Sequence, residues 1–178
     1  EELGLHVEQS EGVAILEQVK QLEAQGFAYE AAEASFALLV ARKKADYVAP
    51  FEVLDFQATV GKRQDAPTFV EATVRVRVGD QVLHTAGSGN GPVSALDEAL
   101  RKAVEPRFPE VHDIHLADYK VRILDGQNGT SSTTRVLIDN RAFDRTWSTV
   151  GASANIIEAS LLALVDGIEY GLGLARRE

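Results

Sequence analysis

The chain has 178 residues, of which 45% are hydrophobic and 25% charged, and it carries a formal net charge of −9 with no cysteine. That length supports one domain, or two small ones, with a real core. The acidic balance works against nucleic-acid phosphate and anionic lipid as partners and points to small molecules or proteins, while the missing cysteine excludes disulfides, thiolate metal sites and a cysteine nucleophile. No run of about 18 apolar residues is present to span a membrane, and no basic-then-apolar leader opens the chain, so the expected location is cytoplasmic. The start at Glu1-Glu2, without an initiator Met, reads as a fragment or a processed product.

Residues 1–50 read as a helical linker subdomain. Ile15, Leu16, Val19 and Leu22 recur at helical spacing behind Ser10 as a candidate N-cap, and Gly26 is a stop signal. An Ala-rich second helix is expected from about Phe27 to Lys44, with Pro50 marking the boundary. Two helices bury little by themselves, so this pair is expected to pack on a partner or on the rest of a longer enzyme.

Residues 51–178 change character. Val70, Ala72, Val74, Val76 and Val78 alternate with Glu71, Thr73, Arg75 and Arg77, the period of a strand with one face buried. Phe56, Ala58 and Val60 mark a strand before it. Gly79-Asp80 marks a turn after it, and a third strand is expected over Gln81 to Ala86. The glycine-rich Gly87–Gly91 leads into a helix that opens at Pro92, where a missing N–H costs nothing. That helix keeps Ala95, Leu96, Ala99, Leu100, Ala103 and Val104 on one face and ends before Pro106 and Pro109.

The order then repeats. Tyr119, Val121 and Ile123 share a strand face opposite Lys120 and Arg122. A turn is expected between Asp125 and Gly129, then strands over Thr133 to Ile138 and through Trp147 to Thr149. The small residues Gly151 to Asn155 open a helix from Ile156 to about Tyr170. Laying residue i on residue i+64 sets Thr85 on Thr149, Gly87 on Gly151, Ala95 on Ala159, Ala99 on Ala163 and Leu100 on Leu164. Because the element order repeats with the residues, the expected fold is α+β: two βββα units, about 51–108 and 114–175, related by a pseudo-two-fold and preceded by the helical linker. The second helix is apolar nearly all round, through Ile156, Ile157, Leu161, Leu162, Leu164, Val165 and Ile168. Such a helix needs more than one cover, and a second protomer is the natural one.

Ordinary structural roles explain most of the polar and aromatic residues that invite a functional role. His112 and His115 read as solvated loop histidines rather than a metal pair, Trp147 as packing, and Arg101-Lys102 as a solvated helix face. Ser88, Ser153 and His84 form no triad pattern, and Asp118 and Asp125 need not converge. A double-stranded-RNA-binding module would carry lysines where this chain has Pro92, Val93 and Ser94 followed by Asp97 and Glu98. The glycines at 87, 89 and 91 lack the spacing and the βαβ context of a dinucleotide site.

Three stretches together resemble a known family. They are Gly89-Asn90-Gly91-Pro92-Val93, Asp118-Tyr119-Lys120-Val121-Arg122 with Leu124-Asp125-Gly126, and Trp147–Gly151 through Asn155–Ser160. Their ordered combination resembles the C-terminal regulatory (LeuA dimerisation) domain of the 2-isopropylmalate/homocitrate/citramalate synthases, and the details lean toward the citramalate branch. Leu22-Glu23 through Gly26, Tyr29 through Phe36 and Leu38-Leu39 look like that family's helical linker. The resemblance implies a domain without catalysis of its own, paired in a homodimer. Its parent synthase joins acetyl-CoA to a 2-oxo acid on a separate TIM barrel with a divalent metal, and no repeat long enough for a barrel is present here; no cofactor is expected in the fragment itself. It further implies feedback inhibition by an end-product branched amino acid, isoleucine first and leucine next, bound at the dimer interface. A purely structural dimerisation module is the alternative. Such a ligand needs N–H donors, polar partners for its ammonium and an apolar pocket, and helix starts offer the donors. On the family pattern the effector residues are Gly91, Pro92, Val93, Ala95, Leu116, Tyr119, Ile123, Ala154 and Ile156, with Leu96 beside them.

Overall fold

The computed structural model describes residues 9–124 and 132–176. The turn expected between Asp125 and Gly129 lies outside the described residues, as does the side chain of Ser10, expected to cap the first helix. In chain order the elements are α1 (Gln9–Ala24), a 3-10 turn (Tyr29–Ala31), α2 (Glu33–Ala41), β1 (Glu52–Lys62), β2 (Thr68–Val78), β3 (Gln81–Ser88), α3 (Pro92–Val104), a 3-10 turn (Pro109–Asp113), β4 (His115–Ile123), β5 (Thr134–Ala142), β6 (Arg145–Ser153) and α4 (Ile156–Ala175). The strands form two three-stranded antiparallel sheets, β1-β2-β3 and β4-β5-β6, each followed by a helix. The expected α+β repeat of βββα is therefore present. The chain divides into two compact units: Ala49–His115 with Gly171–Glu178, and Glu1–Val48 with Leu116–Tyr170.

In the unit of Ala49–His115, the alternation in β2 does what its period requires. Val70, Ala72, Val74, Val76 and Val78 are buried, and Glu71, Arg75 and Arg77 are exposed. Across the outer face, Arg75 pairs with Asp55 at 2.6 Å and Arg77 with Glu52. On the inner face, α3 buries Ala95, Leu96, Ala99, Leu100, Ala103 and Val104 completely. Two contacts fix how closely it lies. Thr85 Oγ1 donates to the Ala99 carbonyl at 2.6 Å, and a Cβ on Gly87 would overlap the Ala95 carbonyl oxygen. Arg101 departs from the solvated helix face expected of it. Its guanidinium is three-quarters buried and donates to the carbonyls of Val111 (2.9 Å) and Ile114 (2.6 Å), tying the turn after α3 back to the helix.

The second unit repeats this joint at the positions 64 residues on. Thr149 Oγ1 donates to the Ala163 carbonyl at 2.8 Å, and Gly151 admits the Ala159 carbonyl where any Cβ would overlap it. Trp147 is buried and donates its indole N–H to the Gly167 carbonyl at 3.1 Å, so it is packing, as expected. The hairpins correspond too. Val78 pairs with Gln81 around Gly79-Asp80, and Ala142 pairs with Arg145 around Phe143-Asp144. Phe143 and Asp144 both have positive φ, at 52° and 57°, as the favoured two-residue hairpin turn demands.

The linker region follows its expected pattern in part. Gly26 ends α1 at φ 108°, with Phe27 N–H reaching the Leu22 carbonyl at 3.1 Å and Gly26 N–H the Glu23 carbonyl at 3.0 Å, the double bond of a Schellman stop. Leu16, expected inward with Ile15, is exposed instead. The long second helix becomes a 3-10 turn and a nine-residue α2, broken at Ala32 with φ −148°. Helix propensity would carry an Ala-rich run further. Here the Phe27–Tyr29 ring stack, centroids 5.9 Å apart, and the burial of Ala32 hold the backbone out of the helix.

α2 lies along β6 in this unit and covers an edge. The N–H groups of Ser148 and Val150 are accepted by Glu33 Oε1 (2.9 Å) and Ser35 Oγ (3.0 Å). Edge donors left bare invite pairing with another chain, and side chains of α2 occupy these two.

Close approach makes the joint glycines intolerant. Gly151→Ala is expected to lower the unfolding free energy by about 1–3 kcal/mol through overpacking, whereas Gly173→Ala, with open space around its Cβ position, is expected to be neutral or to stabilise by up to about 1 kcal/mol. Urea denaturation of the two variants measures the contrast.

Candidate functional site

The expected site residues fall into two groups, one in each unit. Gly91, Pro92, Val93, Ala95 and Leu96 belong to the start of α3, and Leu116, Tyr119, Ile123, Ala154 and Ile156 to β4 and the start of α4.

At the α3 start, Gly91, Pro92 and Val93 are half-buried, while Ala95 and Leu96 point into the core and support the loop from behind. The loop is tightly made. Gly91 N–H bonds Ser94 Oγ at 3.2 Å, and Ser94 Oγ donates toward Asn90 Oδ1 at 2.9 Å. Close approach belongs to Gly89, whose Cβ would meet Ser94 and the Ala95 nitrogen. Gly91 has open space around it and an ordinary extended backbone. Gly91 is the N-cap, and no side chain caps the helix. The first-turn amides and the positive end of the helix dipole are therefore left to an outside acceptor. Glu98, one turn on, accepts the Ser88 N–H at 2.6 Å, and its carboxyl sits below the ordinary range because Lys102 and that N–H favour the charged form.

The α4 start is closed by its own residues. Asn155 Oδ1 accepts the N–H groups of Ile157 (2.8 Å) and Glu158 (3.4 Å), and Ser153 Oγ accepts the Asn155 N–H at 3.0 Å. This is ordinary N-capping. Ser160, fully buried one turn further on, donates to the Ile156 carbonyl at 2.6 Å and shares a hydrogen bond of 2.7 Å with the Tyr119 hydroxyl. Tyr119 and Ile156 are thus joined through Ser160, which their sequence separation does not reveal.

Strand alternation sorts the remaining residues. Tyr119, Val121 and Ile123 share the face of β4 that reaches α4. Leu116 shares the opposite face with Asp118 and Lys120, where Lys120 bridges Asp118 (2.8 Å) and Asp139 (3.1 Å). Lys120 and the Tyr119 N–H hold the Asp118 carboxyl below its usual range. Ile123 is 65% exposed and Ile156 42%, and Leu116, Val121, Leu162 and Ala154 are exposed as well. Val121 and Ile123 are thus open on the face of β4 that carries Tyr119, and Leu116 on the opposite one.

A second polar cluster in this unit escaped the sequence reading. Arg42, just past α2, donates Nε and Nη2 to Glu169 (3.1 and 2.7 Å) and Nη2 to Asp166 (2.7 Å). Tyr47 donates to Glu169 Oε1 at 2.5 Å and Ser35 to Asp166 Oδ2 at 2.6 Å. Glu169 is only 3% exposed, so one guanidinium answers two carboxylates on the buried side of α4. Removing it would leave both acids with only the neutral donors Ser35 and Tyr47 and no cationic partner, at a cost of about 3 kcal/mol or more. Burial and the Asp166 charge push the Tyr29 hydroxyl up to about 12. The signal available in sequence was the pair Asp166 and Glu169, three apart on an otherwise apolar helix, where acids are almost never buried without a partner. His112, by contrast, lies open to solvent with Glu105 3.9 Å away.

Burial holds the Asp166 carboxyl above the ordinary aspartate range, outweighing Arg42 and the Ser35 hydroxyl, which favour the charged form. A carboxyl raised on folding contributes stability that is complete below its unfolded pKa and is lost as pH rises through its folded one. The stability advantage of wild type over Asp166→Asn is therefore expected to be larger near pH ~3 than at pH ~7; urea unfolding of both proteins at the two pH values checks this, and an equal difference would contradict it.

Comparison with known proteins matches residues 30–172 to the LeuA allosteric (dimerisation) domain. An (R)-citramalate synthase of Synechocystis sp. is 51% identical over 164 residues, covering 90% of this chain, and one of Geobacter sulfurreducens is 46% identical over 159 residues, covering 89%. A 2-isopropylmalate synthase of Shewanella amazonensis is 34% identical over 142 residues, 79% of this chain and 24% of its own length. The chain spans 30% of the length of the two citramalate synthases it matches. With the duplicated βββα fold, the two loop-to-helix junctions and a match over most of its length, the chain belongs to the LeuA allosteric (dimerisation) domain family.

Proposed function

We propose that this chain is the regulatory part of an acyl-CoA-dependent synthase of the citramalate/isopropylmalate class, acts as a homodimer in the cytoplasm, and binds a branched-chain amino acid that inhibits the enzyme. Isoleucine is the favoured effector and leucine the next. On this reading the divalent metal and acetyl-CoA belong to a catalytic barrel that is not among these residues.

The observation that carries the proposal is the β4 face of Tyr119, with Val121 and Ile123 exposed on it and the exposed Ile156 tied to Tyr119 through Ser160, in a member of an allosteric dimerisation family. A surface of this kind calls for a second copy, and a branched aliphatic side chain fits its chemistry. The two helix starts divide the polar work. The α4 start is satisfied by Asn155, whereas the α3 start, with Gly91, Pro92 and Val93 beside it, has no side-chain cap and is the better donor to a carboxylate. Ala95 and Leu96 hold that start in place from the core, and Leu116 and Ala154 are exposed apolar residues of the other unit, taken by itself.

Inhibition then requires that the effector favour one arrangement over another. α4 is the element suited to report it, because Ile156 and Ser160 stand at one end and Asp166 and Glu169, which hold the segment after α2, stand further along the same helix. Isoleucine and leucine differ by the position of one methyl, worth about 1–3 kcal/mol in an apolar pocket, so a preference of roughly tenfold is expected.

Calorimetric titration with isoleucine, leucine and valine tests the proposal, alongside sedimentation to read the dimer. Saturable heat with isoleucine strongest is expected. Tyr119→Ala is expected to weaken the affinity while the far-ultraviolet circular dichroism stays as in wild type. A dimer that binds none of the three would make the chain a structural pairing module, and a monomer would remove the proposed interface.

A further inference from the structure

We propose that residues 29–47 form a releasable arm, which lifts off the edge of β6 as one piece while β4–β6 and α4 stay folded, and that Arg42 is its fastening. The inference does not rest on effector binding.

Apart from Glu33, which accepts the Ser148 N–H, the described polar contacts of the arm run through one hydrogen-bonded chain. Val150 N–H donates to Ser35 Oγ (3.0 Å), Ser35 donates to Asp166 Oδ2 (2.6 Å), and Asp166 Oδ1 accepts Arg42 Nη2 (2.7 Å), which also reaches Glu169 Oε2 (2.7 Å). Tyr47 closes it on Glu169 Oε1 (2.5 Å). The three residues described as donating to Asp166 and Glu169 (Ser35, Arg42 and Tyr47) are all on the arm, and both acids are on α4. The chain is coupled through Arg42, because losing the guanidinium removes the cationic partner of both carboxylates at once.

The apolar part of the hold is small. The arm buries Leu38 and Val40 with the alanines 32 and 34, whereas the body of the unit buries Val136, Ile138, Trp147, Leu161, Leu164 and Ile168. Segments with few buried apolar side chains open locally at a lower free energy than the core around them. Release also strands no backbone group of the sheet. The groups uncovered are the Ser148 and Val150 N–H donors of an edge strand, which water can take up where it could not reach a central strand.

Native-state hydrogen exchange on the 178-residue chain tests this, because amides of α2 and the two edge amides report release directly. In Arg42→Gln, exchange of the α2 amides and of Ser148 and Val150 is expected to speed up together by roughly 100-fold, the scale of an unpaired buried charge, while amides at Val136, Ile138 and Leu164 keep wild-type protection. Neutralising the acids as well, in Arg42→Gln/Asp166→Asn/Glu169→Gln, is expected to recover most of the lost protection. In Arg42→Ala, added methylguanidinium ion is expected to do the same by filling the vacated position. Acceleration spread evenly through β5 and α4 would show that the arm is not a separate piece. Unchanged α2 exchange in Arg42→Gln, or no recovery in either rescue, would remove Arg42 as the fastening.

Discussion

How closely a helix can lie on a sheet decides most of this molecule. In each unit the helix backbone rests on a strand glycine, Gly87 under Ala95 and Gly151 under Ala159, where any side chain would collide with a carbonyl oxygen. Two residues before each glycine, a threonine hydroxyl takes up a helix carbonyl, from Thr85 to Ala99 and from Thr149 to Ala163. This joint sets the height and the rotation of the helix together. It therefore determines which helix side chains are buried, such as Leu96 and Leu164, and which loop atoms stand at the helix start. The same two contacts at positions 64 apart are what a duplicated unit should retain, because the joint tolerates no larger residue.

The two copies have diverged where the joint does not constrain them. The first helix start has a glycine N-cap and no side-chain cap, whereas the second is closed by Asn155 and Ser153. The first unit has Lys102 in α3 and Glu105 just after it at the positions where α4 carries Asp166 and Glu169. In α4 those acids are turned inward and answered by Arg42 from the helical segment. One unit is thus open at its helix start, while the other holds the linker segment and shows the wider apolar surface. Duplication supplies two scaffolds on which such features can diverge separately.

Side chains of the helical segment do a job in β6 that backbone does elsewhere. Glu33 and Ser35 take the outward N–H groups of Ser148 and Val150. The strand edge is protected without a fourth strand, by contacts that water can replace. Charge-assisted bonds to buried acids are strong when complete and costly when half made. The segment is accordingly suited to two states, docked or released, rather than to a graded range.

Much of this could be read from the chain alone. Period-two alternation in Val70–Val78, the apolar stripe from Ala95 to Val104, the turn at Gly79-Asp80, the stop at Gly26 and the 64-residue repeat depend on local geometry, and local geometry is written in neighbouring residues. The family resemblance rested on other local stretches in fixed order, Gly89–Val93, Asp118–Arg122 with Leu124-Asp125-Gly126, and Trp147–Gly151 through Asn155–Ser160. Tertiary contact decided the rest. The hairpin at Phe143-Asp144 carries no glycine, and the sequence reading placed no turn there. The second helix was cut short at Ala32 by packing that overrode an alanine-rich propensity. Arg101 was drawn inward by carbonyls at positions 111 and 114. Tyr119 met Ser160, and Arg42 met Asp166 and Glu169, across more than 40 and more than 120 positions respectively. Pairings over such separations leave no periodic trace, because they depend on where two distant elements come to rest rather than on what either prefers by itself.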